Sequence, residues 1–183
     1  ADSPVRTPTR GLHQPVFSIG RSTVPVHEPH LLVYLSGEVH SDWREEIEAS
    51  ALERSLPVRF AAPITDHASS DACGAATLGP EETAFWHDHK GAKLNAIRSR
   101  VLLDRADVVV VRFGDQYKQW NAAYDAGWAA SRGLPLITLH SESHDHALKE
   151  VDAAALAVAR TPQQVVEALH YVVSGHLPTR KGS

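Results

Sequence analysis

The amino-acid sequence predicts an α/β protein in which about five parallel strands form one doubly wound sheet with helices on both faces. Short apolar runs alternate along the chain with longer segments of helical periodicity, which is the pattern of repeated β-α-β units. The run ADVVVVRF is apolar almost throughout, as expected for a parallel strand that is buried on both faces. At 183 residues the chain has the length of one domain with a substantial core.

The first predicted unit is a strand, a tight turn and a helix. The strand, HLLVYLSG at 30 to 37, is a short apolar run that ends at a glycine. The helix begins after an N-cap at Ser41 or Asp42, with acidic residues in its first turn. Three apolar residues share one face of this helix: Trp43, Ile47 and Ala51. The run PVRFAAP at 57 to 63 predicts the second strand.

The stretch from 64 to 83 shows no periodicity and is rich in Asp, Ser, Gly and Thr. A loop of that length inside a compact domain is commonly a functional lid or a mobile segment, so we expect a long loop here. A helical pattern then runs from about Glu82 to Arg105. It carries four apolar residues at helical spacing: Leu94, Ile97, Val101 and Leu102.

The second half of the chain continues the alternation. ADVVVVRF predicts the third strand, and the helical segment after it, KQWNAAYDAGWAASRG, is ended by Gly133 and Pro135. The closing helix has Thr161 as its N-cap. The remaining predicted elements are two strands and that helix: LPLITLH, ALAVAR and TPQQVVEALHYVVSG.

For five parallel strands the commonest doubly wound arrangement is the flavodoxin-like (Rossmann-like) order 2-1-3-4-5. In that order ligands bind outside the carboxyl ends of strands 1 and 3, where the winding direction reverses. Two stretches follow those strand ends: SGEVHSDWR and FGDQYKQWN. We therefore expect the functional residues to come from these two stretches.

Composition and charge argue against several classes of partner. The formal net charge is −4, and no block of Lys and Arg resembles a nucleic-acid patch. No apolar stretch approaches the ~18 to 20 residues that a membrane span needs. The single cysteine, Cys73, excludes an internal disulfide and is typical of a reducing compartment. We expect no nucleic acid, no membrane and no cofactor as partner.

The domain organisation is predicted from a shift in composition near residue 30. Residues 1–29 are expected to form a flexible N-terminal leader, 30–176 a single α/β domain, and 177–183 a flexible tail. Basic residues outnumber acidic ones in the leader. A cytoplasmic location is the first expectation, and an organelle after removal of a transit peptide is the alternative.

Two polar residues on the helix after strand 3 are candidates for chemistry. Asn121 and Asp125 stand at i and i+4, so their side chains share a face near the carboxyl end of the strand. Gly127 is expected to let the helix lie close to the sheet. Three aromatic residues repeat on the neighbouring face: Trp120, Tyr124 and Trp128.

Two interpretations of this helix remain open. The aromatic row is either ordinary core or subunit packing, or a surface on which a ligand stacks. Asp125 is either a hydrogen-bonded or solvated helix residue, or a partly desolvated carboxylate with a raised pKa in a functional site.

The loop after strand 1 carries a second set of polar candidates. Gly37 allows the backbone to approach a ligand, and Glu38 stands at the tip of the strand. Three more polar residues follow near the start of the helix: His40, Asp42 and Arg44. A helix N-terminus favours anions, but the two acidic residues favour a sugar over a bare phosphate. G-x-G-x-x-G and G-x-x-x-x-G-K-[ST] are absent, so dinucleotide and P-loop sites lack their glycines.

Histidine pairs raise a metal hypothesis. The pattern H-x-H occurs in HDH at 87 to 89 and in HSESHDH at 140 to 146. H-E-x-x-H is absent, so the sequence predicts no metal site, and a metal-dependent hydrolase stays a further hypothesis beside polar loop histidines. G-x-S-x-G is also absent and Cys73 has no obvious base nearby, which favours a carboxylate as nucleophile or base.

Three segments resemble the YtoQ-like family of small bacterial-type proteins: VYLSGEVHSDWREEI, LNAIRSRVLLDRADVVVVRFGDQYKQWNAAYDAGWAASRGLPLITLH and HALKE. The resemblance covers about residues 31 to 173, and the stretch 113 to 127 is its most distinctive part. That family in turn resembles the nucleoside 2-deoxyribosyltransferase superfamily. The superfamily has a flavodoxin-like sheet and cleaves the N-glycosidic bond of nucleosides or nucleotides through a carboxylate.

The superfamily resemblance implies roles for individual residues. The turn that holds the substrate is matched by Tyr34 and Gly37, and the nucleophilic carboxylate before a glycine by Asp125 before Gly127. Asp115 matches an acid that orients the sugar. A further acid, on the helix before strand 3, has no clear match. Asp is also one methylene shorter than the superfamily's Glu, so water activation or charge stabilisation competes with direct attack at ~3 to 3.5 Å.

We expect cleavage or transfer of the N-glycosidic bond of a nucleoside or nucleotide, as by an N-ribohydrolase or a deoxyribosyltransferase. A carboxylate would stabilise the oxocarbenium-like transition state. Asp125 is expected to be nucleophile or electrostatic stabiliser, while Glu38 and Asp115 hold sugar hydroxyls or act as acid and base. The residues expected to bind substrate are Tyr34, Gly37, His40, Asp42, Arg44, Asn95, Gly114, Trp120 and Asn121.

The competing hypothesis is a nucleotide or nucleotide-sugar binding protein without turnover, since a fold alone does not guarantee activity. Superfamily relatives build their pockets at subunit contacts, and the Trp-rich helix offers apolar surface. The resemblance therefore also implies a homo-oligomer, a dimer or larger.

Overall fold

A computed structural model describes residues 30–116 and 119–178 of the chain. The predicted leader, 1–29, and most of the predicted tail, 179–183, lie outside the described residues. Within the described ranges, no helix combines the length and the apolar character that crossing a membrane requires.

The strands form one parallel sheet in the order β2-β1-β3-β4-β5, which confirms the predicted fold class and order. The five strands are β1 (Leu31–Gly37), β2 (Val58–Ala61), β3 (Val108–Arg112), β4 (Leu136–Leu139) and β5 (Ala157–Ala159). Gly37 stands opposite Arg112 in the register of β1 and β3. The chain segments that leave these two strands therefore start at the same edge of the sheet.

Helices cover both faces of the sheet, as the sequence predicts. In the described part of the chain they are α1 (Trp43–Glu53), α2 (His67–Leu78), α3 (Ala84–Arg105), α4 (Trp120–Ser131), α5 (Asp145–Ala154) and α6 (Pro162–Ser174). The core of one face includes Trp43 and Ile47 of α1 and Leu169 of α6. The core of the other face includes Leu103 of α3 and Leu148 of α5, together with the alanines of α4.

The loop predicted at 64 to 83 is wrong, because most of that segment forms α2. The Asp66 side chain caps the helix. α2 lies against α3 with glycines at the contact: a Cβ on Gly74 would come 2.4 Å from the Gly91 backbone nitrogen. Helices that touch through small residues leave no periodic row of large apolar side chains, which is why the sequence predicts a loop.

The helix α5 is absent from the sequence-based prediction. Leu148 is its buried residue, and Val151 packs partly beside it. A face that narrow gives a weak periodic signal in a segment of ten residues. A short 3-10 turn, Glu142–His144, leads into the helix.

The helix α4 lies close to the sheet because alanines face the strands. Ala122, Ala126 and Ala129 are all buried. Gly127 lies on the exposed side, where an added Cβ would meet nothing within 4 Å. The expectation that Gly127 brings the helix to the sheet is therefore wrong, since the alanine row does so. This small separation lets short side chains of α4 reach β1.

Candidate active site

The carboxyl ends of β1 and β3 meet at a glycine. Gly37 has a φ of +106°, and a Cβ there would lie 2.1 Å from the Arg112 carbonyl oxygen. The Glu38 amide donates to that same oxygen at 3.1 Å. Only glycine fits this backbone conformation and this approach without strain. The contact brings the β1–α1 loop over the end of β3.

A crevice of about 250 Å³ opens beside this contact. Both stretches that the fold rule singles out contribute to it. Its lining residues are Gly37, Glu38, Val39 and His40 from the β1–α1 loop, and Gln119, Trp120, Asn121 and Ala122 from the start of α4. The two stretches, far apart in sequence, therefore form one surface at the switch point of the sheet.

Glu38 is a held, ionised carboxylate in this crevice. Its side chain is 7% exposed and lies 3.5 Å from the Arg112 guanidinium. The Ser41 hydroxyl and the His40 amide each donate to it. Burial alone would raise the pKa of Glu38, but these two hydrogen bonds and the Arg112 charge hold it below its ordinary value. Glu38 can therefore accept hydrogen bonds from a ligand but is poorly suited to donate a proton.

Arg44 supports the end of β1 from behind the crevice. The residue is 4% exposed. Its guanidinium donates to the Leu35 carbonyl at 3.1 Å, to the Glu38 carbonyl at 2.6 Å and to the Gly37 carbonyl at 3.1 Å. These contacts direct the guanidinium to the backbone at the end of β1, and the binding of substrate by Arg44 stays a prediction.

The remaining predicted residues of the first loop, His40 and Asp42, are exposed. His40 lines the crevice, and its ring stacks on His67 of α2 with 5.8 Å between ring centroids. Asp42 occupies the N-cap position of α1, but its side chain makes no capping hydrogen bond. The Ser41 hydroxyl, the other predicted cap, is directed to Glu38 instead.

Asp125 is half-buried between α4 and β1. Its Oδ2 accepts a hydrogen bond of 2.5 Å from the Ser36 hydroxyl. Burial raises the pKa of the Asp125 carboxyl, and the Ser36 hydrogen bond offsets part of that rise. Asp125 thus combines features of both interpretations left open by the sequence, a hydrogen bond and a pKa raised by burial. Asp125 lies one helical turn beyond Asn121, which lines the crevice.

Tyr34 lies beneath Asp125 on the same face of β1 as Ser36. The side chain is fully buried, and its hydroxyl oxygen makes no hydrogen bond of normal geometry with the described residues. Burial raises the pKa of the Tyr34 phenol, the nearby Ser99 hydroxyl offsets part of the rise, and the Asp125 charge adds to it. The predicted substrate-holding tyrosine is therefore a neighbour of the carboxylate and lies under the surface.

Gly114 and Gln119 shape the β3–α4 side of the crevice. A Cβ on Gly114 would lie 2.4 Å from the Glu38 Cγ, so glycine lets the Glu38 side chain lie against the backbone. The Gln119 Oε1 accepts a hydrogen bond from the Gly114 amide at 2.6 Å. Sequence reasoning missed Gln119, although its place just before the helix start in the second singled-out stretch is a usable signal.

Two predicted site residues make their contacts elsewhere. Asp115 is 63% exposed, accepts a hydrogen bond from the Ser141 hydroxyl at 2.7 Å and lies 3.3 Å from His144. It joins the β3–α4 loop to the loop after β4. Asn95 donates to the Ser70 carbonyl at 3.0 Å and thereby ties α3 to α2. Neither contact directs these side chains to Glu38 or Asp125.

The three aromatic residues of α4 differ in surroundings. Trp120 is 73% exposed and lines the crevice. The Tyr124 hydroxyl accepts a hydrogen bond from Arg100 at 2.9 Å. Trp128 donates to Asp104 at 3.1 Å. Tyr124 and Trp128 therefore bind α4 to α3, while Trp120 lies at the crevice.

Two residues of the motif HSESHDH, His140 and Asp145, lie together with a second carboxylate, Asp152 of α5. Ligand atoms of His140, Asp145 and Asp152 lie within 4.8 Å of one another. The Arg160 guanidinium donates to Asp145 at 2.5 Å and lies 3.2 Å from the His140 Nδ1. A cation at this point would have to displace that guanidinium, so the residues fit an ion-pair network better than a metal.

The sheet order, the crevice at its switch point and the half-buried carboxylate next to it define a flavodoxin-like α/β protein with acidic residues at the switch point. Comparison with known families makes this specific. The chain belongs to the family described as nucleoside 2-deoxyribosyltransferase YtoQ, whose model matches residues 34–173. The matched region includes both stretches that line the crevice.

One relative is the uncharacterized protein YtoQ of Bacillus subtilis (strain 168), which is 41% identical over 141 residues, or 77% of this chain and 95% of the relative. Among solved structures, a conserved protein from Enterococcus faecalis V583 matches with a TM-score of 0.54 at 12% identity, over 79% of this chain and 99% of that chain. This likeness supports the fold. A 2-deoxyribosyltransferase from Bacillus psychrosaccharolyticus gives a TM-score of 0.46 at 14% identity, over 74% and 90% of the two chains, too low a score to carry further argument.

Proposed function

We propose that the protein cleaves or transfers the N-glycosidic bond of a nucleoside or nucleotide with Asp125 as its central carboxylate. The observation that carries this proposal is the half-buried Asp125, held by Ser36 next to a crevice at the switch point of the sheet. A carboxylate with a pKa raised by burial is typical of functional sites. The family description, which names a nucleoside 2-deoxyribosyltransferase, supports the same reaction class.

The proposed chemistry follows from the bond that breaks. When the bond between C1′ and the base nitrogen breaks, its electron pair leaves with the base and positive charge develops on C1′ and the ring oxygen. The Asp125 carboxylate stabilises that charge, either as an ion or by bonding to C1′. Water then completes hydrolysis, or a second base completes transfer, and a base that leaves as an anion takes up a proton from solvent.

The neighbouring residues have proposed roles that follow from their surroundings, and that of Asp115 differs from the first expectation. Glu38 is held ionised by its donors, so it receives a sugar hydroxyl and does not act as the general acid. Trp120 is exposed at the crevice and offers its ring face to the base. Asp115 is tied to Ser141, so we place it in the support of the loop.

The test is a panel of nucleosides and nucleoside monophosphates incubated with the full chain, with released base measured by liquid chromatography. We expect release from at least one member of the panel, and a loss of about 100-fold or more in Asp125→Asn. Glu46→Gln, an exposed change on α1, is the matched control and leaves release unchanged. Release that survives Asp125→Asn would overturn the assignment of Asp125.

The second candidate is a nucleotide or nucleotide-sugar binding protein without turnover. One observation favours it: Asp125 lies one turn beyond the residues that line the crevice, so a ligand can occupy the crevice without contacting that carboxylate. In that case calorimetry detects binding of a panel member, and chromatography detects no base release. Binding that depends on Trp120 but not on Asp125 would support this second function.

A further inference from the structure

Ser36 differs from the residues around it because it is a polar side chain inside an apolar strand. It is 2% exposed, and the three residues before it, Val33, Tyr34 and Leu35, are fully buried. A buried hydroxyl without a hydrogen-bond partner costs free energy, so the identity of the partner is informative. The Ser36 Oγ donates to the Asp125 Oδ2 at 2.5 Å, although the two residues are 89 positions apart in sequence.

The packing of α4 makes this pair possible. Ser and Asp both have short side chains, so they meet only where the helix backbone lies close to the strand. Ala122 and Ala126, which flank Asp125 on the inner face of α4, are each 1% exposed. A larger residue at either alanine would push the helix outward and separate the pair.

We propose that Ser36 is a positioning residue for Asp125: its hydroxyl fixes one carboxylate oxygen, Oδ2, and leaves the other, Oδ1, to face the reacting carbon. The reacting carbon is that of the proposed function, on which this part of the inference rests. The pairing itself rests on the hydrogen bond and on the burial of Ser36. Side chains that act at near-attack distances need such fixed orientation.

The pair also has an electrostatic consequence. A hydroxyl that donates to a carboxylate stabilises its ionised form. Burial raises the pKa of Asp125 and the Ser36 hydroxyl lowers it in part, so Ser36 keeps more of the carboxylate ionised at a given pH. A residue that merely fills space in the strand would have no such effect.

The first experiment is a titration that needs no substrate. Carbon-13 NMR follows the carboxyl carbons of labelled aspartates with pH, and the Asp125 signal is the one missing from Asp125→Asn. We expect Ser36→Ala, which removes only the hydroxyl group, to move the Asp125 midpoint to higher pH. Ser36→Thr retains the hydroxyl and restores the midpoint. Ser41→Ala removes a hydroxyl that serves Glu38 and leaves the Asp125 midpoint unchanged.

An Asp125 midpoint that is unchanged or lower in folded Ser36→Ala would overturn the proposal. A midpoint that moves equally in Ser36→Ala and in folded Ser36→Thr would overturn it too, because the hydroxyl would not be the cause. Amide proton–nitrogen spectra of each variant confirm folding before the titrations are compared.

The second experiment uses whichever panel member releases base. In Ser36→Ala the acid limb of the kcat/KM profile is expected to shift to higher pH, because the hydroxyl no longer stabilises the ionised carboxylate. The plateau is expected to fall about tenfold as well, because Oδ2 is no longer held in one orientation. An acid limb that stays at its wild-type pH would contradict the effect on ionisation, and an unchanged plateau would contradict the fixed orientation. If no panel member releases base, the proposed function fails, and the titration still decides whether Ser36 controls Asp125.

Discussion

At the scale of single residues, burial of the Asp125 carboxylate has a cost for stability. Burial raises the pKa of Asp125 in the folded protein, so the folded state holds the proton more tightly than the unfolded state does. The stability gained from this difference is fully present below the unfolded pKa, near ~4, and is lost as pH rises through the folded pKa. Above the folded pKa the protein therefore carries an ionised group in a partly apolar place.

We accordingly predict that Asp125→Asn makes the folded protein more stable at neutral pH, by about 1 kcal/mol. Asn is neutral at every pH and its carbonyl oxygen can still accept the Ser36 hydrogen bond. Thermal unfolding at pH 7 and at pH 3.5 measures the effect, which should shrink at the lower pH. Glu46→Gln, an exposed change on α1, is expected to show no such difference. A variant that is less stable than wild type at pH 7 would contradict the cost of burial.

Some of these residue-level features can be read from the sequence and others cannot. Asp125 was predicted from its spacing with Asn121 and from the aromatic residues around it, and burial raises its pKa. Ser36 was missed because one serine in an apolar run sets up no spacing pattern. The role of Arg44 depends on which way its guanidinium turns, and it turns to three carbonyls of β1 and its loop. Such direction is set by packing, which periodicity does not report.

At the scale of elements, α2 depends on close contact with α3. We predict that Gly74→Ala lowers the free energy of unfolding by about 1 to 3 kcal/mol, since the added Cβ would lie 2.4 Å from the Gly91 nitrogen. Urea denaturation followed by circular dichroism measures the change. Gly127→Ala is the matched control on the exposed side of α4, where the added Cβ would contact no other atom within 4 Å.

The two glycine variants are expected to change stability in opposite directions. Alanine favours a helix interior over glycine by about 1 kcal/mol, so Gly127→Ala should raise the free energy of unfolding. If Gly74→Ala also raised the free energy of unfolding, that result would contradict the close backbone contact between α2 and α3.

The elements that the sequence predicts are those with large apolar residues at regular spacing. All five strands and the helices α1, α3, α4 and α6 were predicted, because each has an apolar run or a helical row. α2 joins α3 through glycines, and α5 buries one leucine, so neither gives that signal. The amphipathic pattern reports burial of large side chains and says little about helices that pack through backbone atoms.

At the scale of the whole molecule, the strand order accounts for the position of the site. The strands β1 and β3 are neighbours in the sheet, so the chain segments that follow them lie side by side. This brings Ser36 and Asp125 into contact, although they are 89 positions apart in sequence. The order followed from strand count and from right-handed crossovers, so the place of the crevice was predictable. The residues that face the crevice were only partly predictable, because Asp115 and Asn95 form hydrogen bonds with residues of other loops and helices.

The outer face of α3 and α4 remains apolar and uncovered. Ile97 is 62% exposed and Val101 41%, although both belong to the predicted apolar row of α3. A groove of about 290 Å³ runs along the same helix, with Leu78, Trp86 and Leu94 among its lining residues. Uncovered apolar surface of this kind is typical of an interface between proteins.

We predict that this face joins two copies of the chain, since two-fold dimers are the commonest assembly of a single soluble chain. The uncovered apolar side chains of α3 give such a contact its surface. Light scattering after size-exclusion chromatography should give twice the mass of the chain for the wild-type protein. The variant Ile97→Glu should give the mass of a monomer, because it would bury a charge in the contact. Leu52→Glu, at an 80% exposed position of α1 on the opposite face of the sheet, should leave the dimer intact. A monomeric wild-type protein at micromolar concentration, or equal effects of both glutamates, would contradict an interface at α3 and α4.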